Sequence, residues 1–517
     1  SERRNMKRLK RSSGVLLPVF SLPSNYGIGT IGKAAYDFID FLHSAKQAYW
    51  QILPVGSTGF GDSPYQSFST YAGNPYFIDL DLLIKDGLIS KEDVGRFDWG
   101  NDPEKIDYGK IYNAKFAILE MAYKNGIEKD REKYEKFKEE NQSWLGDYSL
   151  FMAVKKHFDF KPRTQWPEAD ISRHEKNACD KYREVLKTDV EMYGYIQYLF
   201  FDQWENLRRY ANEKGIKLIG DLPIYVAADS ADVWRNPEMF LLDKDNKPIK
   251  VAGVPPDDFT ELGQLWGNPL YDWQKMKRDG YGWWIRRIDG ARKLYDVIRI
   301  DHFRGFESYW AVPAGDKNAI GGKWEKGPGE DIVNILKNWF CDTFFIAEDL
   351  GYLTREVKDL LAFSGFPGMK ILEFAFNPRE PSDYLPYKYE KNRVCYVGTH
   401  DNRTALGWLE TGDKDEIAFA QKYMGVTAEG FVKGLLHTGM ASVADLFISQ
   451  MGDWLNVGRE GRINTPGTDT GNWIWRMKPG LCTEKLAGEM AEMTVLYGRR
   501  ENSAKTDKIS VIGEIRL

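Results

Sequence analysis

The chain has 517 residues, of which 42% are hydrophobic and 28% are charged, and its formal net charge is -5 at pH 7. This length and composition suffice for a large buried core, and a barrel with insertions accounts for the size. The mixed charges exclude the basic footprint of a nucleic-acid-binding protein and a polybasic membrane patch. No stretch approaches the roughly 20 apolar residues of a membrane helix, and the amino end lacks a signal-peptide pattern. We therefore expect a cytoplasmic protein with no nucleic-acid or membrane partner.

Short β-rich runs alternate with helical stretches, and this alternation predicts a parallel sheet covered by helices. The predicted elements, in chain order, are a strand at 14–20, a helix at 30–45, a strand at 49–55, a helix at 193–214, a strand at 217–224, strands ending at Asp301 and Glu348, a strand at 369–372, a strand ending at Asp401 and a strand at 445–449. Eight strands with intervening helices predict a (β/α)8 TIM barrel.

Two long excursions interrupt this pattern. Residues 56–187 are rich in Lys, Glu, Tyr and Phe at helical spacing in their later part, which predicts a largely helical insertion. Residues 225–273 have turn residues and little periodicity, which predicts a loop-rich insertion. We assign residues 1–12 to a basic lead and residues 13–500 to the catalytic barrel. No pattern assigns a role to the tail, residues 501–517.

Three carboxylates end apolar runs, namely Asp301, Glu348 and Asp401. An unpaired buried carboxylate costs several kcal/mol or more, so these side chains are expected to face a polar cleft. The carboxyl ends of barrel strands meet at one rim, where active sites of this architecture lie. Retaining glycosidic chemistry needs two carboxyl groups about 5 Å apart, and adjacent strands lie about 4.8 Å apart. The spacing therefore favours Asp301 as nucleophile and Glu348 as acid/base.

Several neighbours of these acids are further candidates. Arg299 lies two residues before Asp301, on the same face of the strand, and is expected to keep that carboxylate ionised. His302 and His400 each adjoin one acid and are expected to donate hydrogen bonds to a sugar. Asp221, at the end of the third strand, either binds substrate or braces the site. Spacing alone leaves open that the three acids are ion pairs that close the barrel, and it does not name the sugar.

The cysteines and the aromatic residues add two constraints. Four cysteines are scattered without any C-x-x-C pair, which argues against a zinc site or a disulfide framework and fits a reducing cytoplasm. Aromatic residues make up 14% of the chain, and most are expected in the core. The candidates for stacking on sugar faces are those in Gly-, Pro- and Asn-rich segments: Tyr65, Tyr71, Tyr76, Trp266, Tyr271 and Trp273.

The motifs themselves resemble those of a known family. RIDHFRG at 299–305, AEDLG at 347–351 and GTHDN at 398–402 look like the catalytic motifs of the α-amylase clan. The resemblance is narrowed by DSPYQS at 62–67, GNPY at 73–76, GDLPI at 220–224, GQLWGNP at 263–269 and GRINTPG at 461–467. Together these are similar to the 4-α-glucanotransferases of glycoside hydrolase family 77, called amylomaltase or disproportionating enzyme. The likeness runs from about residue 13 to residue 499.

The resemblance implies a barrel with inserted subdomains and no separate C-terminal β-domain. By motif match, Asp301 takes the nucleophile position, Glu348 the acid/base and Asp401 the transition-state stabiliser. It also implies that the Trp266 loop folds over the groove while the Ser63 and Tyr65 region lines the other side. The expected substrate-binding residues are Arg299, His400, His302, Asp221, Ser63, Tyr65, Trp266 and Asn402. No metal or organic cofactor is expected.

The activity implied is transfer of α-1,4-glucan segments between malto-oligosaccharides, or to glucose, through a covalent ester on Asp301. Transfer exceeds hydrolysis when an acceptor fills the site and water is excluded, and aromatic loops over the groove supply the means. Two alternatives stay open: an α-1,4-glucan hydrolase with the same acids, and a non-catalytic glucan-binding protein. The sequence does not give the preferred glucan length, the formation of large cyclic glucans, the oligomeric state or the pathway served.

Overall fold

The computed structural model of the protein describes residues 8–59, 61–257, 260–351 and 353–500. The predicted basic lead therefore lies largely outside the described residues, and the predicted tail lies wholly outside them. The strands are β1 (Ser12–Leu16), β2 (Tyr49–Gln51), β3 (Lys217–Pro223), β4 (Lys250–Val254), β5 (Gln264–Pro269), β6 (Val297–Asp301), β7 (Ser308–Pro313), β8 (Lys323–Lys326), β9 (Phe344–Ala347), β10 (Gly368–Ile371), β11 (Arg393–Tyr396) and β12 (Leu446–Gln450).

Helices separate most of the strands. They are α1 (Lys33–Ser44), α2 (Leu80–Lys85), α3 (Lys91–Gly95), α4 (Tyr108–Gly126), α5 (Arg131–Glu140), α6 (Leu145–His157), α7 (Ala169–Ser172), α8 (Lys176–Val185), α9 (Lys187–Glu213), α10 (Ala231–Arg235), α11 (Trp273–Arg278), α12 (Gly282–Leu294), α13 (Glu330–Trp339), α14 (Arg355–Ser364), α15 (Ala405–Thr411), α16 (Lys414–Met424), α17 (Phe431–Ala441), α18 (Met451–Trp454) and α19 (Glu484–Leu496). Helices α2 to α8 fall within the segment that the sequence predicts to be largely helical. None of the helices in the described ranges is long and apolar enough to cross a membrane.

Eight strands form one parallel sheet, in the order β10-β11-β12-β1-β2-β3-β6-β9. The amide of Ala347, at the end of β9, donates to the carbonyl of Pro367, just before β10, at 2.9 Å. This hydrogen bond joins the two edges of the sheet, so the strands close into a barrel. The predicted (β/α)8 barrel is confirmed, and each predicted strand has a counterpart in it.

The barrel strands consist mostly of apolar residues because both of their faces are buried. In β6, Val297, Ile298 and Ile300 have no exposed surface. Arg299 interrupts that run, and it is paired in register with Asp221 of β3. A buried cation is tolerated here because a carboxylate neutralises it. This pair places a buried ionic group at the carboxyl end of β3 and β6.

Three strands, β1, β2 and β11, end at least four residues earlier than the sequence predicts. β1 and β2 stop before Pro18 and Pro54, which have no amide hydrogen to donate to the sheet. β11 stops at Tyr396, so Asp401 lies in the turn beyond the strand and does not end the strand as predicted. The physical reason is local: the amide and hydroxyl of Thr399 donate to the side chain of Asn402, at 2.8 and 2.9 Å, and this replaces pairing with the sheet.

A second, antiparallel sheet stands beside the barrel, in the order β5-β4-β7-β8. β4 and β5 lie in the segment expected to be loop-rich, and β7 and β8 were not predicted from the sequence. These strands are short and contain Gly253, Gly267 and Pro269, which are uncommon within strands. They form because two distant segments pair, with Gly253 opposite both Leu265 and Trp310. Local periodicity carries no signal for such pairing.

Candidate active site

The two central acids end neighbouring strands of the barrel. Ile300 of β6 pairs with Ala347 of β9, so Asp301 and Glu348 are the next residues in the same register. The amide of Glu348 donates to the carbonyl of Ile300 at 3.0 Å, which extends the pairing to the rim. Their side chains thus leave adjacent strands at the same edge, as the sequence predicts.

The backbone around His302 holds the Glu348 carboxylate. His302 is in the left-handed conformation, with φ of 57°, and its amide donates to Oε2 of Glu348 at 2.8 Å. The amide of Leu350 donates to Oε1 at 2.7 Å. Both oxygens are therefore fixed in position, and each keeps a second lone pair for a proton or a substrate contact.

A buried ion pair anchors Asp301 from behind. Nη1 of Arg299 lies 2.6 Å from Oδ1 of Asp221 and 3.2 Å from Oδ1 of Asp301. Oδ2 of Asp221 accepts a hydrogen bond from the hydroxyl of Tyr65 at 2.6 Å. Both oxygens of Asp221 are thus taken by protein groups, which favours the bracing role over a substrate contact. Its side chain is 1% exposed, whereas that of Asp301 is 28% exposed.

Tyr65 also ties the third barrel strand to the loop of Asp401. Its hydroxyl lies 2.8 Å from Nε2 of His400, and the two rings stack with centroids 5.3 Å apart. Because the single hydroxyl hydrogen of Tyr65 goes to Asp221, Nε2 of His400 must carry a hydrogen and donate it. Burial lowers the pKa of His400, so its ring is neutral at pH 7. His400 therefore acts toward Tyr65 as a donor in one defined tautomer.

The side chain of Asp401 is 44% exposed, compared with 28% for that of Asp301. Its Oδ1 lies 3.3 Å from Nε2 of His400 and accepts a hydrogen bond from Nδ2 of Asn464 at 2.7 Å. Nη2 of Arg462 donates to the Asp401 carbonyl at 2.7 Å. The Asn402 side chain faces the turn, where its oxygen accepts from Thr399, so that oxygen is engaged in holding the loop.

The acids influence one another through the low-dielectric pocket. Burial raises the pKa of Glu348, and Arg299 together with the two backbone amides opposes this. Burial, followed by the charge of Asp221, raises the pKa of Asp301 well above its usual range, although Arg299 lowers it. Arg299 thus contributes in the expected direction without outweighing burial. Two neighbouring carboxyls with raised pKa values favour one shared proton.

Aromatic side chains line the Glu348 side of the site. The ring of Trp266, on β5, lies edge-on to that of His302 with centroids 4.8 Å apart. Nε1 of Trp266 donates to Oε1 of Gln264 at 3.1 Å. Burial lowers the pKa of His302 to about 3, so its ring is neutral. Ser63 has a different place: its hydroxyl accepts from the amide of Tyr65 at 3.3 Å and shapes the turn that presents Tyr65.

Arg462 and Asn464 were not predicted from the sequence as site residues. Both lie in the GRINTPG segment, which contributed to the family resemblance but received no role. The amide of Asn464 also donates to the carbonyl of His400, at 3.0 Å. The repeated contacts of this segment with residues 400 and 401 identify it as the support of Asp401. No group of three or more His, Cys, Asp or Glu in the described ranges is placed to hold a metal ion.

Asn464→Ala is expected to lower kcat about ten- to a hundredfold, because a hydrogen bond to a charged group contributes about 1.5–3 kcal/mol. The loss should fall on kcat more than on KM, since Asp401 would lose its orientation and keep its charge. Asn464→Asp is the matched contrast: it places a carboxylate against Asp401 and should be less active still at neutral pH. Steady-state kinetics on malto-oligosaccharides test both, and wild-type kcat in Asn464→Ala would contradict this role.

A (β/α)8 barrel with acids converging at the carboxyl ends of its strands defines an enzyme of the class that acts on glycosidic bonds. The family model described as 4-alpha-glucanotransferase matches residues 17–483 of this chain. The chain belongs to that family.

Individual relatives agree with this assignment. The chain is 51% identical to the 4-alpha-glucanotransferase of Clostridium butyricum over 486 residues, which cover 93% of this chain and 100% of that protein. It is 45% identical to the 4-alpha-glucanotransferase of Thermus thermophilus over 484 residues, covering 91% and 96%. The solved structure of amylomaltase from Streptococcus agalactiae in complex with acarbose matches with a TM-score of 0.93 and 43% identity, over 95% of this chain and 100% of that one.

Proposed function

We propose that this protein is a 4-α-glucanotransferase that moves α-1,4-glucan segments between malto-oligosaccharides, with glucose as a further acceptor. The observation that carries the proposal is the pair of carboxyls on adjacent strands, Asp301 beside Arg299 and Glu348 held by two backbone amides. The relatives named 4-alpha-glucanotransferase support the reaction type. The acarbose complex of the Streptococcus agalactiae amylomaltase supports an oligosaccharide as ligand.

The proposed reaction has two displacements at the anomeric carbon. Glu348 gives its proton to the glycosidic oxygen as the C1–O bond breaks, and Asp301 attacks C1 from the opposite side to form an ester. The 4-hydroxyl of the acceptor then attacks C1, gives its proton to Glu348 and releases Asp301. Two inversions retain the α configuration.

The remaining residues have supporting roles in this proposal. Asp401 binds sugar hydroxyls at the donor side and helps to distort the ring. Asp221, Tyr65 and His400 hold the bracing network that joins the two sides of the pocket. Arg299 orients Asp301 and favours its ionised form. The substrate-binding role of Ser63 and Asn402, and the cytoplasmic location of the protein, stay predictions from the sequence.

Incubation with maltotriose tests the proposal directly. Transfer predicts a ladder of oligosaccharides longer than three glucose units, together with free glucose and a nearly constant number of reducing ends. A rising number of reducing ends with only shorter products would instead establish an α-1,4-glucan hydrolase. Unchanged maltotriose would contradict the transferase and favour the non-catalytic glucan-binding protein. Chromatography of the products, with a reducing-end assay on the same samples, separates the three outcomes.

Trp266→Ala is expected to raise the ratio of hydrolysis to transfer up to about tenfold, because an aromatic contact contributes about 0.5–1.5 kcal/mol. Without this ring next to His302, the acceptor binds less tightly and water reaches the ester more often. Trp266→Phe keeps an aromatic ring, so its ratio of hydrolysis to transfer should lie between those of Trp266→Ala and the wild type. Trp339→Ala, which removes a tryptophan that is 61% exposed at the end of α13, is the control. Equal ratios in Trp266→Ala and the wild type would refute the role.

A further inference from the structure

A buried carboxyl, that of Glu373, packs against the loop that carries Asp401. Glu373 follows β10 in the helical turn Leu372–Phe374, and its side chain is 9% exposed. Its amide donates to the carbonyl of Val397, the residue after β11, at 3.1 Å. A Cβ atom at Gly398 would lie 3.4 Å from Oε2 of Glu373. Both the backbone and the carboxyl of Glu373 therefore border the first residues of this loop.

An arginine joins the same carboxyl to the end of the loop. Nη1 of Arg403 donates to Oε1 of Glu373 at 3.1 Å. Arg403 is only two residues after Asp401, and its carbonyl accepts a hydrogen bond from Nε2 of Gln450, in β12, at 3.2 Å. Glu373 thus contacts the loop on both sides of Asp401 in the chain.

A second arginine, Arg462, interacts with both Glu373 and Asp401. Its Nη2 donates to the carbonyl of Asp401 at 2.7 Å, and its Nε donates to the carbonyl of Asn464 at 2.9 Å. The charges of Glu373 and Asp401 both attract its guanidinium, whereas that of Arg403 repels it. Because Glu373 attracts both arginines, it offsets their mutual repulsion. The two arginines are thereby kept close together at the loop of Asp401.

A second buried carboxyl, that of Asp453, holds the far end of the loop. Its Oδ1 accepts a hydrogen bond from the amide of Ala405, the first residue of α15, at 2.7 Å. Burial raises the pKa of both Glu373 and Asp453 to about 7. Arg403 and Arg462 lower the pKa of Glu373 and so favour its ionised form. A buried charge is tolerated where opposite charges pair with it, and the two arginines supply that pairing.

We propose that Glu373 is a positioning residue for Asp401, on which it acts through Arg403 and Arg462. The inference rests on the proposed transferase function, in which Asp401 binds sugar hydroxyls and helps to distort the ring. That role requires the carboxylate to be held in one direction as the transition state forms. A loosened loop keeps the charge of Asp401 but loses its direction. Loss of Glu373 should therefore lower kcat more than it changes KM.

Kinetics of Glu373→Gln test this role, because the amide keeps the length and one acceptor oxygen but removes the charge. We expect kcat on maltotriose to fall about tenfold, the effect of weakening a hydrogen bond to a charged group, and KM to change about twofold or less. Glu380→Gln, at an exposed glutamate nearby in the chain, is the control and should keep the wild-type kcat. Wild-type kcat in Glu373→Gln would overturn the proposal.

A double variant separates positioning of Asp401 from a general structural role. In an Asn464→Ala background Asp401 has already lost its direction, so adding Glu373→Gln should lower kcat only about twofold or less. Residues that act through one shared partner show such non-additive effects, whereas independent effects multiply. The full tenfold loss in both backgrounds would overturn the proposal.

Amide hydrogen exchange tests the hold on the loop without turnover. The amide of Asn402 donates to the carbonyl of Thr399 at 3.1 Å, so it is protected while the loop keeps its shape. Glu373→Gln should speed exchange in a peptide spanning 397–404 about three- to tenfold and leave β6 unchanged, while Glu380→Gln should alter neither. Wild-type exchange of that peptide in Glu373→Gln would overturn the proposal. If the wild type failed to transfer glucan yet the loop loosened in this way, the proposed reaction would fall and the hold on the loop would stand.

Discussion

Asp301→Asn is expected to reduce transfer from maltotriose by about 10^4-fold or more, in line with losses seen when a covalent nucleophile is removed. The amide is a poor nucleophile, although it fills the same space between Arg299 and the pocket. The fold should persist, because Asp221 remains to pair with Arg299 at 2.6 Å. Initial rates measured with thermal unfolding on the same preparation check both statements.

A rescue experiment distinguishes a nucleophile from a merely structural acid. In Asp301→Gly, azide can occupy the vacated space and attack C1 of α-maltosyl fluoride, and fluoride leaves with its bonding electrons. The product should be the β-azide, which is the inverted anomer. Asp316→Asn, at an exposed aspartate, is the matched control and should retain wild-type activity without azide. An α-azide, or full activity in Asp301→Asn, would remove Asp301 from the nucleophile position.

Glu348→Gln is expected to lower the rate on maltotriose about 10^2- to 10^4-fold, the range for loss of a general acid. The loss should be much smaller for the first step with α-maltosyl fluoride, because fluoride departs without protonation. Substrate-dependent loss is the signature of an acid. Equal losses on both substrates in single-turnover experiments would show that Glu348 positions the site and does not transfer a proton.

Glu348→Gln also tests how the activity should depend on pH. Burial raises the pKa of Glu348 above its ordinary value of 4.5, so the wild type keeps the protonated acid to a higher pH than a free glutamate would. Activity on maltotriose should fall on the alkaline side as the Asp301–Glu348 pair loses its shared proton, and on the acid side as the pair binds a second proton. With the fluoride substrate, Glu348→Gln should lose the alkaline fall of the first step and keep the acid one. Persistence of both would assign the alkaline group to another residue.

Much of the barrel was predictable because its strands are buried on both faces. Continuous apolar runs such as 344–347 stand out from the helical segments, and the acids that follow such runs mark the rim. The positions of Asp301 and Glu348 on neighbouring strands could be predicted from the order of strands in a barrel alone. The predicted seventh strand was wrong at its end, since Asp401 lies in a turn that the side chains of Thr399 and Asn402 stabilise.

The rest of the site depends on contacts between distant segments. Asn464 is 63 residues from Asp401 in the chain, and nothing local predicts that its amide reaches that carboxylate. The network from Tyr65 to both Asp221 and His400 likewise joins three separate segments. The raised pKa of Asp301 was not predictable either, because it depends on the depth of the pocket and on how closely four other charged groups approach this carboxyl.

The antiparallel sheet also constrains how this enzyme can be altered. Its strands come from two insertions that flank the nucleophile in the chain, residues 250–269 and residues 308–326, and each insertion completes the hydrogen bonding of the other. A chimaera that exchanged only one of them with a relative would leave unpaired strand edges next to the pocket. The two insertions form one transplantable unit. Exchanging both together would change the walls of the groove while β6 and β9 keep the reacting carboxyls in place.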